Sequence, residues 1–203
     1  GIQTGVFTRK GCERVIRYSF ELARRRNKKK HLTSITKSNA QGYGMLVWDR
    51  AFERVSAEYP DISTDSLLVD AAAMDFIRKP EYFDVVVASN LFGDILTDIA
   101  AIITGSMGLA SSANLDPERR YPSMFEPVHG SAPDIMGKGI ANPMAQILTG
   151  AMLLRHLGHV DAATDVEAAV LSVLSEGEIL TPDLYGSSTT SSVGDAIVSA
   201  LGK

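Results

Sequence analysis

Phe83–Asp98 reads FDVVVASNLFGDILTD, a strand pattern that runs directly into a helix pattern. Phe83 to Ala88 is an apolar, β-branched run of strand length. Asn90 breaks it, and LFGDILTDIAAII then carries apolar residues at helical spacing, with Leu91, Ile95, Ile99 and Ile102 on one face. Residues four apart on a helix project from the same side, so Asp94 and Asp98 form a two-carboxylate surface just past a strand's C-terminal end. Open α/β sheets place ligands there. Paired oxygen ligands suit a hard divalent cation such as Mg²⁺ or Mn²⁺. The bland alternative is two acids near a helix N-terminus, favoured by the macrodipole.

Working outward, the same alternation recurs. Thr8 is placed to cap a helix over 9–26, with Val15, Ile16, Phe20 and Ala23 as its inward stripe. A short strand is expected over 31–36 and a helix over 42–58 that Pro60 stops. A second strand over 66–69 leads into a helix that ends before Pro80. Gly105–Asn114, rich in Gly and Ser, reads as a loop. Beyond Asp116 the texture changes: residues 121–130 are extended, 130–143 form a loop dense in Gly, Pro, Asp and Asn, and helices follow over 143–156, 162–175 and from about Val193. Strands alternating with helices up to about residue 110 indicate parallel α/β architecture. The helices after it lack the strands they would cover, and the chain begins at Gly1 without Met. Both suggest a C-terminal fragment whose N-terminal part is missing.

With 203 residues and 45% hydrophobic content the chain can bury a core in one or two domains. A net charge of −4 gives no general attraction to nucleic acid or anionic membrane. The basic run Arg24–Lys30 sits at a helix end, where cations offset the dipole and stay solvated. The single cysteine, Cys12, excludes an intramolecular disulfide framework and reads as a packed thiol. No apolar run reaches ~18 residues and no signal-peptide pattern is present, which fits a cytoplasmic protein.

Three further segments carry candidate chemistry. TKSN at 36–39 follows a strand, and its Lys37 becomes an acid or base if burial lowers its pKa. VDAAAM at 69–74 places Asp70 at the head of a helix, where capping is the usual explanation. FEPVHGSAPDIMGKGIANP at 125–143 packs Glu126, His129, Asp134 and Asn142 into one loop, with glycines that let backbone approach a ligand. Its GKGIAN spells only part of the dinucleotide fingerprint and follows no strand, so it is not a standard Rossmann site.

Together, NLFGDILTD, FEPVHGSAPDIMGKGIANP, TKSN and VDAAAM resemble the β-decarboxylating dehydrogenases, the isocitrate/isopropylmalate dehydrogenase family, from about residue 7 to the C-terminus. The resemblance implies that family's two-domain α/β fold, not a Rossmann fold. Residues 1–110 would be part of a metal, substrate and dimerisation domain, and 111–203 the C-terminal part of the cofactor-binding domain. It further implies that Asp94 and Asp98 hold Mg²⁺ or Mn²⁺, with Asp70 a third ligand from the partner subunit of a homodimer with shared active sites. Lys37, also donated across the dimer, would accept the substrate hydroxyl proton, and Asn39 would lie near the nicotinamide. Glu126, His129, Gly130, Asp134, Ile135 and Asn142 would form the loop for the adenosine end of the cofactor. An acid at 134 followed by Ile135 suits NAD, because a carboxylate repels a 2′-phosphate.

The implied chemistry is oxidative decarboxylation of a 2-hydroxy diacid. Most members place a tyrosine where this chain has Phe7, and phenylalanine cannot donate a proton. Phe7 and TKSN resemble the tartrate/D-malate branch, with isopropylmalate as the runner-up substrate. A catalytically silent, ligand-binding regulatory relative is the alternative class. Arginines that grip the substrate would lie upstream of Gly1, so little turnover is expected of these 203 residues alone.

Overall fold

The computed structural model describes residues 1–202. The chain divides into two compact units, Gly1–Ile103 and Thr104–Lys203, each with its own core. The sequence reading put the boundary near 110.

The first unit begins with α1 (Arg9–Arg26), bounded as the residues require. The Thr8 hydroxyl accepts from the Gly11 N–H at its start, and Asn27 ends it in the left-handed conformation at φ 46°. Then come β1 (His31–Thr36), α2 (Gly44–Ser56), β2 (Ser63–Leu68), α3 (Val69–Arg78), β3 (Val85–Val87) and α4 (Asn90–Ile103). The sheet is parallel with order β2-β1-β3, and Leu32 pairs with Thr64 on one side and Val85 on the other. Five of the six β1 residues are buried, as expected of a central parallel strand. Around it pack Ile16 and Phe20 from α1, Met45, Trp48 and Phe52 from α2, and Phe92 and Leu96 from α4. Phe20 stacks on Tyr59 at 4.5 Å between ring centres, and the Trp48 indole N–H donates to Ser34 Oγ at 3.0 Å.

The basic end of α1 departs from the solvated picture. Arg24 Nε donates to Asp61 at 2.9 Å, and Arg26 Nε donates to Asp84 at 2.9 Å. Asp84 also accepts the Lys29 N–H at 3.1 Å, and its side chain is 1% exposed. These partners lie far away in sequence, so helix-end logic had no means of finding them. Burial pushes the Asp84 carboxyl up, but the Arg26 guanidinium and the backbone N–H groups of His31 and Lys29 outweigh it and hold it below its ordinary value. A depressed folded value means stability that is in place above the unfolded carboxylate value of about 3.9 and is lost as the pH falls through the lower folded value. Asp84→Asn is therefore expected to cost about 2 kcal/mol at neutral pH, discounted for the half-exposed Arg26. Urea titrations of both proteins across pH check this, and a gap that fails to narrow below about pH 4 would contradict it.

In α4 the face picked out by the spacing is not the buried one. Phe92 and Leu96 pack inward with Ile99 beside them, whereas Leu91, Ile95 and Ile102 are exposed. The helix is apolar on two adjoining faces, and the single-stripe reading merged them.

The second unit holds an antiparallel pair, β4 (Ser111–Asn114) and β5 (Met124–Pro127), followed by α5 (Met144–Leu157), α6 (Val160–Glu176) and α7 (Thr190–Ala200). The sequence made β4 part of a loop. Ser and Asn are poor strand formers, and SSAN is a strand only because Met124–Pro127 supplies its ladder. Asp116 closes the link between the two strands by accepting the N–H groups of Glu118, Arg120 and Tyr121. Met144, Val170, Val173, Val193 and Ile197 form the core.

Candidate functional site

The parallel register brings Lys37 and Asp70 to one edge of the first unit's sheet. Thr36 ends β1 opposite Leu68, which ends β2, so Lys37 and the first turn of α3 emerge side by side at the C-terminal edge. Lys37 Nζ lies 2.9 Å from Asp70 Oδ1, and the lysine side chain is 24% exposed. The bond from Lys37 is the largest influence on Asp70 and holds its carboxyl below the ordinary value. The Lys37 carbonyl accepts the N–H groups of Ala40 and Gln41, which fixes the turn carrying the exposed Asn39.

Asp94 and Asp98 stand on successive turns of α4, which starts just after β3 at the same edge. Both are exposed, and among the described residues neither carboxylate has an ion-pair partner. Two unneutralised oxygen donors on one helical face fit a hard divalent cation. Among the described residues no group of three His, Cys, Asp or Glu side chains converges on a point that could hold a metal ion. Asp70 thus does not join Asp94 and Asp98 within one chain; it is engaged with Lys37.

The first unit also contains a cavity of about 860 Å³ lined by Phe7, Thr8, Cys12, Tyr43, Trp48 and Asn90 among others. Cys12 is buried, and burial raises its thiol pKa, which agrees with a packed thiol. Phe7 sits against Gly44, where an added Cβ would meet its ring at 2.6 Å. A side chain at position 44 would require the Phe7 ring to shift.

In the second unit the 125–143 loop is a chain of turns. The Ile135 N–H donates to the Ala132 carbonyl and the Lys138 N–H to the Ile135 carbonyl. Gly137 and Gly139 adopt φ of 76° and 66°, which glycine permits at no steric cost. Glu126, His129, Gly130 and Asp134 are exposed; Ile135 and Asn142 are half-buried. Asp134 is exposed and has no ion-pair partner among the described residues.

Residues 1–197 match the isocitrate/isopropylmalate dehydrogenase family. The chain belongs to that family. Among the relatives of this isocitrate/isopropylmalate dehydrogenase family member is a probable tartrate dehydrogenase/decarboxylase of Agrobacterium vitis, 51% identical over 99% of this chain and 56% of the relative. The D-malate dehydrogenase (decarboxylating) of Escherichia coli K12 is 52% identical over 97% of this chain and 55% of its own length. The crystal structure of isocitrate dehydrogenase from Methylococcus capsulatus superposes with a TM-score of 0.93 at 43% identity, covering 98% of this chain and 58% of that one. The chain spans little more than half the length of these relatives. The α/β isocitrate dehydrogenase-like fold is as the motifs implied.

One residue in this region was not singled out from sequence. Asp183, in the turn between α6 and α7, accepts hydrogen bonds from Ser106 and Asn142. Those partners lie 77 and 41 residues away in the chain, and no local pattern announces such a junction.

Proposed function

We propose that the whole protein carries out NAD- and divalent-metal-dependent oxidative decarboxylation of a small 2-hydroxy diacid of the D-malate or tartrate type. The observation that carries this reading is the Lys37–Asp70 pair at the sheet edge from which the Asp94/Asp98 helix also starts. The names of the similar proteins in Agrobacterium vitis and Escherichia coli favour the diacid over isopropylmalate.

Asp94 and Asp98 would hold Mg²⁺ or Mn²⁺, with Asp70 of a second copy completing the set. When bound, the cation supplies a Lewis acid for the developing oxo and enolate oxygens, and NAD supplies the hydride acceptor at the 2-carbon. Lys37 would accept the 2-hydroxyl proton, and Asp70, 2.9 Å from its Nζ, is placed to hold the ammonium that results. Loss of CO₂ then leaves a carbanion equivalent that is protonated at carbon. Phe7 has no proton to give to that step. The loop with Glu126, His129, Gly130, Asp134, Ile135 and Asn142 would take the adenosine end of NAD, and the unneutralised charge of Asp134 disfavours a 2′-phosphate.

A homodimer is part of the same reading. On α3 and α4, which pack together, Met74, Ile77, Leu91, Ile95 and Ile102 are 49–69% exposed, an apolar face suited to a second copy. That face adjoins the carboxylates that would need a partner's Asp70.

The test is NADH formation by the whole protein with D-malate, tartrate and 3-isopropylmalate, with NAD and Mn²⁺. D-Malate or tartrate is expected to give the highest kcat/KM. Lys37→Met is expected to lower kcat by about 10²–10⁴-fold with little change in NAD binding. Unchanged kcat in that variant would remove Lys37 from the chemistry, and preference for 3-isopropylmalate would overturn the substrate assignment.

A further inference from the structure

Three separated segments of the second unit meet at one carboxylate. Asp183 Oδ2 accepts from the Ser106 hydroxyl and from Asn142 Nδ2, the latter at 3.0 Å. The Asn142 Oδ1 accepts the Met144 N–H at 3.0 Å, so both ends of that amide are engaged within the protein. Ser106 Oγ in turn accepts the Gly108 N–H at 2.9 Å. Space is as tight as the bonding: a Cβ on Gly108 would lie 2.6 Å from the Asn142 Cβ and 2.8 Å from Asp183 Oδ2. Just beyond, Thr190 at the start of α7 donates its N–H to the Gly139 carbonyl at 2.9 Å and its hydroxyl to the Ala141 carbonyl at 2.6 Å.

We propose that Asp183 is the positioning residue of the nucleotide loop: it locks the Asn142 amide so that residues 139–142 present their backbone in a fixed path. This rests on the reading of 125–143 as the NAD loop. Asn142 then acts through its side chain as an anchor, and the recognition surface of this end of the loop is main chain. A single carboxylate oxygen serving two donors is suited to the task. Charge-assisted bonds are roughly twice as strong as neutral ones, and one acceptor ties the 106 turn and the 142 loop to the same point. Burial pushes the Asp183 carboxyl up, and hydrogen bonds, that from Ser106 the largest, outweigh it and hold it below its ordinary value.

The experiment is NAD binding followed by ¹H–¹⁵N chemical shifts, using the full chain and its Asp183→Ala, Asp183→Asn and Gly108→Ala variants. Removing the acceptor in Asp183→Ala is expected to weaken NAD binding about tenfold. Asp183→Asn keeps a carbonyl oxygen at the junction and is expected to restore affinity to within about threefold. Gly108→Ala keeps the Asp183 side chain but crowds both Asn142 and Asp183 Oδ2 at the junction, and is expected to weaken NAD binding as well, which keeps the idea testable should Asp183→Ala fail to fold. A purely stabilising Asp183 would lower Tm and leave the NAD Kd of the folded variants unchanged, and that result overturns the positioning role alone. No NAD response in the loop of the unsubstituted protein would overturn the cofactor reading, and the positioning role with it.

Discussion

A variant with Asp94 and Asp98 both changed to asparagine is expected to lose Mn²⁺ binding, with Kd rising by about 100-fold or more. Even outer-shell groups around metals are worth 10–100-fold in affinity, so two first ligands should exceed that. The fold should be indifferent to the change, because both side chains are exposed and neither forms an ion pair among the described residues. Electron paramagnetic resonance of free Mn²⁺ gives the affinity, and circular dichroism confirms that the helix persists. If the third ligand comes from another copy, Asp70→Asn should also weaken Mn²⁺ binding, and mixing Asp70→Asn chains with the double variant should restore part of it. Retention of tight Mn²⁺ binding by the double variant would dismiss α4 as the metal helix.

The second large effect concerns Gly186. A Cβ built there lies 2.0 Å from the Leu180 carbonyl oxygen and 2.4 Å from its carbon. Both are backbone atoms, so no side-chain rotation relieves the overlap. The same turn is closed by the Gly186 N–H on the Thr181 carbonyl at 3.1 Å and the Ser188 N–H on the Leu180 carbonyl at 2.8 Å. Gly186→Ala must therefore open the turn and disturb Leu180 and Leu184, which pack on the core of the second unit. The expected loss is roughly 3 kcal/mol or more, at the severe end of single substitutions. Urea denaturation with peptide-resolved hydrogen exchange measures it, and protection in α6 and α7 should fall first. Stability equal to that of the unsubstituted protein would show that the turn re-forms around the methyl group.

The two effects differ in how visible they are in the sequence. Helix limits set by single residues were legible. Thr8 caps α1, Pro60 stands beyond α2, and Pro80 follows α3, because capping and proline geometry act within a turn. The strand at 31–36 was legible from the alternation in HLTSIT, although the structure buries five of its six residues. Whatever depends on distant partners was not legible. SSAN gives no hint of β4 until Met124–Pro127 lies beside it, and Arg24 and Arg26 look like solvent-facing charges until Asp61 and Asp84 arrive. In α4 the periodicity was real but ambiguous, because two apolar faces adjoin and only packing shows which one the core takes. The candidate site divides the same way. Asp94 and Asp98 follow from helical spacing. Lys37 and Asp70 come together only through the parallel register of β1 and β2, and composition says nothing of register.

The strand order β2-β1-β3 has a bearing on how the first unit is assembled. Among these three strands the central one comes first in the chain, and its two neighbours follow at residues 63–68 and 85–87. As the chain emerges during synthesis, β1 can pair with β2 once the α2 crossover is complete, but its other edge stays open until Val85–Val87 appear. Pairing residue 32 with residue 85 also closes a long loop, a slow step in folding. Until Val85–Val87 arrive, β1 lacks the partner that covers this edge, and an unpaired edge is prone to pairing with a neighbouring chain. High expression should consequently favour aggregates nucleated at residues 31–36, and lowering the expression level should increase the soluble yield.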